Sequence, residues 1–448
     1  MQNWLELSLT FRLLCLGVVG LFTGQIANWA ICRWRIQPLD FHPWSLNTLV
    51  SPKTAGKVNR HPLGFLPLLG WWLRRGEGSI WGRGFWIRPL LVELLLPALW
   101  ITLYLWQVEN FGQLSVVLHP ALRVMAVAPA GNPAAAQFLD LQFTLHCQFA
   151  AHALLSVWML AATLIDWDEL IIPDEITVSG TILALLGLAI FPRALLPDMV
   201  FLPQPVPQWL GNAAVEPVTL TAPNPWPDIL SPRPNGFSLV LALVCYSIWC
   251  VSLLPWVWHG RYGLARAWRY FWATLYRDGH WRWVVPLLLL GNGAICGAWA
   301  AAEEQSWRGL LSSLVGLWCG GFMIWIVRAI GFVALRREAM GFGDVTLMSM
   351  IGAVTGWQAT ILIFFLAPVA GLILGVIKML FQGERVLPFG PFLCLATWTV
   401  LFAWSPCWEY IRPILEVGWL LPAVLGCCLP LLGLLLGIWR WLRGEEQS

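Results

Sequence analysis

The stretch MGFGDVTLMS, residues 340–349, places a carboxylate, Asp344, between a glycine turn and a long apolar run. The whole chain of 448 residues is 58% hydrophobic and only 11% charged, with a mean hydropathy of +0.68. Such a composition indicates a polytopic membrane protein rather than a soluble multidomain chain. An ionisable residue at the mouth of a membrane helix is costly to keep there. Asp344 is therefore the first candidate for a functional residue.

The apolar runs predict an all-α membrane fold with about 11 transmembrane helices. The predicted spans are 9–32, 88–108, 143–165, 175–192, 237–257, 283–301, 309–333, 345–357, 359–379, 389–405 and 418–441. Arginine and lysine are concentrated in alternate loops, beginning with loop 33–87. Because basic loops stay in the cytosol, the pattern predicts an outside N-terminus and a cytosolic C-terminus.

A second carboxylate, Asp166, ends the third predicted span in the sequence LIDWDELIIPD, residues 164–174. Within this sequence Pro173 fixes the backbone, and Asp174 can cap the next helix. The loop pattern places Asp166 and Asp344 on the same, cytosolic side of the membrane. For a single aspartate, a structural role as an interfacial helix cap is the more common outcome. A pair of aspartates on one face of the membrane favours a functional role instead.

Two carboxylates at a membrane edge can hydrolyse a peptide bond. One activates a water molecule, and the other protonates or polarises the substrate, so that no metal or covalent intermediate is needed. Before Asp344, Gly341 and Gly343 allow a tight turn and a close approach of the backbone. The pattern therefore predicts acid–base chemistry by Asp166 and Asp344.

Composition argues against several other classes of protein. The net charge of +3 is too small to indicate nucleic-acid binding. The 11 cysteines lie mostly within apolar runs and form no C-x-x-C pair, so neither a zinc site nor a disulfide framework is predicted.

Many of the 32 tryptophans flank apolar runs, where they serve as interfacial anchors. The first apolar run lacks a basic segment before it, so we expect a retained span rather than a removed signal peptide.

Taken together, these motifs resemble those of bacterial type IV prepilin peptidases, which are GxGD-type intramembrane aspartic proteases. LIDWDELIIPD resembles the first aspartate motif of the family, and GFGD at 341–344 resembles the second. LPFGPF at 387–392 resembles the proline-glycine segment near the active site of the family. The matching residues are Asp166, Pro173, Asp174, Gly341, Gly343, Asp344, Pro388, Gly390 and Pro391.

The resemblance implies a peptidase of the bacterial inner membrane that removes the leader of type IV prepilins or of type II secretion pseudopilins. It implies cleavage after a glycine on the cytosolic side, with Asp166 and Asp344 as the catalytic pair and no cofactor. The expected partners are these substrates and the lipid bilayer, without nucleic acid. Within such a motif, Asp168 and Glu169 are expected to be solvated loop charges that could attract a basic leader.

The sequence departs from the family at two places. Thr346 stands where the family usually has lysine. Loop 33–87 lacks the two C-x-x-C pairs that hold zinc in many members, so no zinc is expected. These members also methylate the new N-terminus, and S-adenosylmethionine would be needed here only if that second activity is retained.

The predicted organisation has five segments. They are the N-terminal spans 1–108 with a cysteine-free basic loop, the first-aspartate region 109–193, an insertion 194–308 with two extra spans, the GxGD core 309–405, and the C-terminal span and tail 406–448. Two alternatives stay open: an inactive family member that binds pilins or assists assembly, and a transporter. A transporter would be expected to have broken helices and charges near the midplane.

Overall fold

The computed structural model describes residues 2–36, 38–39, 44, 62–129, 132–201, 213–231, 236–254, 269–270, 272–274, 276–277, 279–336, 338, 340–382 and 388–442. The N-terminal part contains helices α1 (Gln2–Leu5), α2 (Leu9–Arg33), α3 (Leu69–Arg74), α4 (Gly78–Trp81), α5 (Ile87–Tyr104), α6 (His119–Ala126), α7 (Pro133–Glu169) and α8 (Asp174–Ile190). After strands β1 (Pro197–Phe201) and β2 (Ala213–Pro217) come α9 (Phe237–Ser252), α10 (Trp281–Ala301), α11 (Glu304–Leu335), α12 (Phe342–Gln382), α13 (Gly390–Phe402), α14 (Trp404–Glu416) and α15 (Leu420–Leu442).

The all-α polytopic class is confirmed, but the predicted number of about 11 spans is not. In the described part of the chain, seven helices are long and apolar enough to cross a membrane. The number rises to eight if α13 and α14, which meet at a bend of 92°, form one span. Helices α8 and α9 contain 17 and 16 residues. At 1.5 Å per residue they are about 25 Å long, less than a hydrocarbon core of about 30 Å.

Two of the predicted spans, 345–357 and 359–379, are the arms of the single element α12. The backbone leaves helical geometry at Gly356, where φ is 79° and ψ is 165°. A methyl group on Gly320 of α11 would lie 2.4 Å from the Met348 carbonyl oxygen and 3.3 Å from Thr360 Cγ2. In a straight helix Met348 and Thr360 would be about 18 Å apart. The chain therefore folds back at Gly356, and both arms pack against α11.

Small residues let α11 and α12 approach closely. A methyl group on Gly316 would lie 2.2 Å from the Gly352 carbonyl oxygen, and one on Gly352 would lie 2.3 Å from the Gly316 carbonyl oxygen. Such glycine contacts are typical of helix pairs in membranes, where van der Waals packing holds helices together. They place the first arm of α12, and Asp344 at its beginning, directly against α11.

The largest apolar core lies where α7, α8, α11, α12 and α13 meet. It contains Ile165, Ile172, Met348 and Leu393, all buried. A second core joins α5, α6 and α7, and a third joins α8, α9 and α11. The largest core surrounds the ends of the helices that carry the two aspartate motifs, so the position of both motifs is set by packing.

The proline-rich segment 193–236 contains a two-stranded antiparallel sheet. Strands β1 and β2 pair in the register Pro197–Pro217 to Phe201–Ala213. The sheet is held on α14 because Trp404 Nε1 donates to the Pro197 carbonyl at 2.7 Å and Trp408 Nε1 donates to Asp198 Oδ1 at 2.6 Å. This sheet lies far along α7 from Asp166, at the opposite end of the bundle.

Candidate active site

Asp166 lies in the last turn of α7, and its side chain is buried with a residue exposure of 4%. The helix ends at a left-handed residue, Leu170, whose N–H donates to the Asp166 carbonyl at 2.9 Å. The carboxylate faces the first turn of α13, where the Gly390 N–H donates to Oδ2 at 3.0 Å. An N–H at a helix N-terminus stabilises a negative charge, so α13 supplies a polar partner inside an apolar core.

Asp344 lies in the first turn of α12 with a residue exposure of 7%. The N–H of Gly341 is directed at its carboxylate. Asp344 also lies within electrostatic reach of Asp166. Two buried carboxyl groups that are close enough to repel each other take up and release protons as a coupled pair. Acid–base hydrolysis by two carboxyl groups uses such a pair.

Ile172 joins the three motifs. A methyl group on Gly343 would lie 2.8 Å from Ile172 Cβ, and a methyl group on Gly390 would lie 2.9 Å from Ile172 Cδ1. The same methyl group on Gly390 would lie only 2.6 Å from Asp166 Oδ2. Both positions therefore need glycine for space, since carbon atoms pack at about 3.5–4.0 Å. The sequence pattern did not single out Ile172, although it lies inside the first aspartate motif.

A frame of ion pairs holds the end of α7. Arg35 contacts Asp168 at 2.9 Å and Glu169 at 3.0 Å, and Arg88 contacts Asp168 at 2.5 Å. Arg88 also donates to the Leu164 carbonyl at 2.8 Å. Asp168 and Glu169 are therefore paired with arginines, rather than being the solvated loop charges that the sequence predicts. They tie the ends of α2 and α5 to the turn that carries Asp166.

The other motif residues have structural positions around the pair. Pro173 occupies the N-cap of α8, with φ of −67° and ψ of 141°, and Asp174 is the first residue of that helix. The side chain of Asp174 is half-buried. Burial and then the charge of Glu175 raise the pKa of Asp174, while His280 lowers it. Pro391 lies in the first turn of α13, and Pro388 is buried just before it.

Thr346 occupies the position where the resemblance predicts lysine. Its hydroxyl donates to the Gly343 carbonyl at 3.0 Å, and the side chain is buried. Thr346 therefore closes the first turn of α12 instead of presenting a cation. A lysine at this position would bring a charge into the apolar core, so the substitution changes the local electrostatics of the turn.

Another buried carboxylate, Glu93, lies away from the pair and is fully buried in α5. Its oxygens accept hydrogen bonds from the Leu68 N–H at 2.6 Å, Trp71 Nε1 at 2.8 Å and Asn28 Nδ2 at 3.3 Å. These donors come from α2, from α3 and from the turn before α3. Glu93 therefore joins three elements and has a structural role.

No group of three or more histidine, cysteine, aspartate or glutamate side chains in the described part of the chain is arranged to hold a metal ion. The centre of loop 33–87, residues 45–61, lies outside the described residues. The chemistry that Asp166 and Asp344 themselves offer is proton transfer by two carboxyl groups.

Part of the chain is similar in sequence to the members of one protein family. Residues 270–376 match the model of the type IV leader peptidase family. The prepilin leader peptidase/N-methyltransferase of Stutzerimonas stutzeri is 34% identical over 124 residues, which are 26% of this chain and 39% of the relative. The protein of the same name from Pseudomonas aeruginosa is 33% identical over 121 residues, with the same shares. The one from Burkholderia pseudomallei is 31% identical over 127 residues, 27% of this chain and 39% of the relative.

The matches cover only part of each protein. The chain spans about two fifths of the length of these relatives. The family match contains the GFGD motif with Asp344, begins inside the predicted insertion 194–308, and does not extend back to Asp166. No solved structure matches the chain. The resemblance to the family is thus confirmed over the second motif, while the assignment of Asp166 depends on its own motif and on its position beside Asp344.

Proposed function

We propose that this chain, whose residues 270–376 match the type IV leader peptidase family, is a membrane-embedded aspartic endopeptidase. Its substrates are type IV prepilins or type II secretion pseudopilins, and the cut falls after a glycine on the cytosolic side. One observation carries the proposal: two carboxylates from distant motifs, Asp166 and Asp344, are both buried and lie within electrostatic reach at one end of the bundle.

In this reaction one carboxylate takes a proton from water while the other gives a proton to the substrate, and the roles reverse at the end of the cycle. The Gly390 N–H keeps the Asp166 carboxylate in a fixed orientation. Ile172 fixes the distance between the two motifs by packing on Gly343 and Gly390. Holding the reacting groups in a fixed geometry can account for a large part of the lowering of the activation free energy in a reaction of this kind.

The proposed orientation has the N-terminus outside and the C-terminus in the cytosol, within the bacterial inner membrane. The alternation of basic and non-basic loops supports it. Segment 194–308 is proposed as an insertion, between the first-aspartate region 109–193 and the GxGD core 309–405. The peptidase reaction needs no cofactor and no zinc, and S-adenosylmethionine is required only if the chain also methylates the new N-terminus.

The test is cleavage of a co-expressed prepilin by the wild type and by the variants Asp166→Asn and Asp344→Asn. Glu175→Gln is the matched control, because Glu175 is an exposed carboxylate near the same membrane edge. Membrane levels of all four proteins are compared by immunoblot. We expect cleavage by the wild type and the control only.

Each other outcome has a defined meaning. Cleavage that survives either aspartate change removes that residue from the mechanism. A wild type that binds prepilin without cutting it, tested with several prepilins, favours the inactive, pilin-binding alternative.

A further inference from the structure

Two adjoining cavities lie between helix α9 of the insertion and helix α11. One has a volume of about 680 Å³, and the other of about 320 Å³. Both are lined by Ile248 and Ser252 of α9, by Trp325 of α11 and by Phe342 of α12. We call this continuous space the insertion groove. Because α9 forms one of its walls, the groove would not exist without segment 194–308.

The groove begins at the aspartate motifs. Asp174, from the first motif, and Phe342, from the GFGD turn, line the larger cavity together with His280 of the insertion. His280 is close enough to Asp174 to interact with its charge. A single cavity thus joins both aspartate motifs to the insertion.

The titratable side chains of the groove are confined to its larger cavity. They are Asp174, His280 and Arg328, and this cavity contains the end next to the GFGD turn. Arg328 donates to the Met340 carbonyl at 3.1 Å and thereby holds the backbone just before that turn. The smaller cavity is lined mostly by apolar and aromatic side chains, as far along α11 as Leu317. The groove is therefore apolar over most of its lining and has its titratable side chains only in the cavity next to the GFGD turn.

The groove has the length of a helical segment. From Arg328 to Leu317 on α11 there are 11 residues, which correspond to about 17 Å at 1.5 Å per residue. If the proposed function holds and the cut falls at the cytosolic end of the bundle, the substrate residues after the cut enter the membrane. There they must be apolar and helical, because no water is present to satisfy the backbone.

We propose that the insertion groove holds the apolar helix of the prepilin that lies after the cleavage site, and that helix α9 selects which prepilins are cut. The substrate helix lies between α9 and α11, and its cytosolic end passes Phe342 to reach the carboxylates. This inference rests on the proposed function and adds a substrate-binding role for the insertion.

The first test fills the groove. Ile248 is 48% exposed on α9 and lines both cavities, whereas Val240 is 57% exposed on the same helix and lines neither. We expect Ile248→Trp to lower kcat/KM for prepilin cleavage by about tenfold, mainly through KM, since it removes binding and not chemistry. Val240→Trp should leave kcat/KM within about twofold of the wild type, as expected for a substitution away from the groove. Equal values for Ile248→Trp and the wild type would overturn the proposal.

The second test measures binding of the prepilin without cleavage. Its result therefore distinguishes a failure of this proposal from a failure of the proposed function. A photoreactive amino acid is placed at position 248 or at position 240 in the Asp344→Asn protein, with a prepilin co-expressed. We expect a cross-link to the prepilin from position 248 and none from position 240. Cross-links only to lipid from position 248, or equal cross-links to the prepilin from both positions, would show that the groove does not hold the substrate.

Discussion

The two glycines of the GFGD motif should differ sharply in their tolerance of alanine. Neither has a positive φ, so the difference is one of space alone. Gly341 is exposed, and a methyl group there would meet Asp344 Oδ2 at 3.7 Å, an ordinary contact. A methyl group on Gly343 would lie 2.8 Å from Ile172 Cβ and 3.1 Å from the Ile172 carbonyl oxygen.

These distances leave too little space for the methyl group of an alanine at position 343. Carbon atoms pack at about 3.5–4.0 Å, so Gly343→Ala must move the turn away from Ile172 by about 1 Å. Overpacking of this kind costs about 1–3 kcal/mol of stability. A displacement of about 1 Å between catalytic groups can lower a rate by about 100-fold, which is the loss of kcat we expect. Gly341→Ala should change stability by no more than about 0.5 kcal/mol, because alanine keeps the N–H that faces Asp344 and its methyl group makes only ordinary contacts.

The assay is cleavage of a purified prepilin by each variant in detergent, with kcat and KM determined separately and thermal unfolding recorded on the same samples. Comparing kcat at a temperature well below the thermal midpoints of both variants separates a displaced active site from a loss of folded protein. A wild-type kcat for Gly343→Ala, or an equal loss of activity in Gly341→Ala and Gly343→Ala, would show that the contact with Ile172 does not set the position of Asp344.

Three further predictions concern the frame around the site. Glu93→Ala should leave the buried Trp71 Nε1 without an acceptor and remove the bonds from the Leu68 N–H and from Asn28, which keeps its bond to the Pro89 carbonyl. An unpaired buried donor costs about 1–3 kcal/mol, so the thermal midpoint and the membrane level should fall while cleavage per folded molecule persists. A midpoint equal to that of the wild type would contradict this. A double-mutant cycle of Arg88→Ala and Asp168→Ala should give a coupling free energy of unfolding of about 0.2–1 kcal/mol, because Arg88 is partly exposed, and additivity would rule the pair out as a stabilising contact. Since burial and the charge of Glu175 raise the pKa of Asp174, its ionisation opposes folding, and the stability it contributes at low pH is lost as the pH rises through the folded pKa. Asp174→Asn should therefore be more stable than the wild type at about pH 7, with a gain in thermal midpoint that disappears below about pH 4, and a gain independent of pH would contradict the assignment.

Several features of the fold were predictable because they depend on local composition. Runs of apolar residues require helices in lipid, where every backbone polar group must be satisfied within the segment. The helical membrane class and the positions of α2, α5, α7, α11 and α15 follow from this rule. The number of spans does not follow from it, because hydropathy marks a run of apolar residues but not the length of the helix that forms there, and α8 and α9 have only 17 and 16 residues. The fold-back at Gly356 depends on the contacts of both arms of α12 with α11.

The candidate site shows the same division. Asp166 and Asp344 stand out in the sequence because a carboxylate next to an apolar run is energetically unfavourable in a membrane and is therefore a candidate functional residue. Ile172, Arg35 and Arg88 carry no comparable signal, since apolar and basic residues are common at the ends of membrane helices. Their roles became apparent only from their contacts with the motifs.

Local properties of the chain, namely hydropathy and the chemistry of helix ends, are enough to identify a helical membrane protein with two aspartates at the ends of apolar runs. The approach of the two carboxylates to within electrostatic reach, the pairing of Asp168 and Glu169 with arginines, and the position of α9 as a wall of the groove beside Phe342 are visible only in the folded protein. These depend on contacts between residues far apart in the chain. Such contacts are decided by the packing of Gly343, Gly390 and α9 against their neighbours, which no local pattern records.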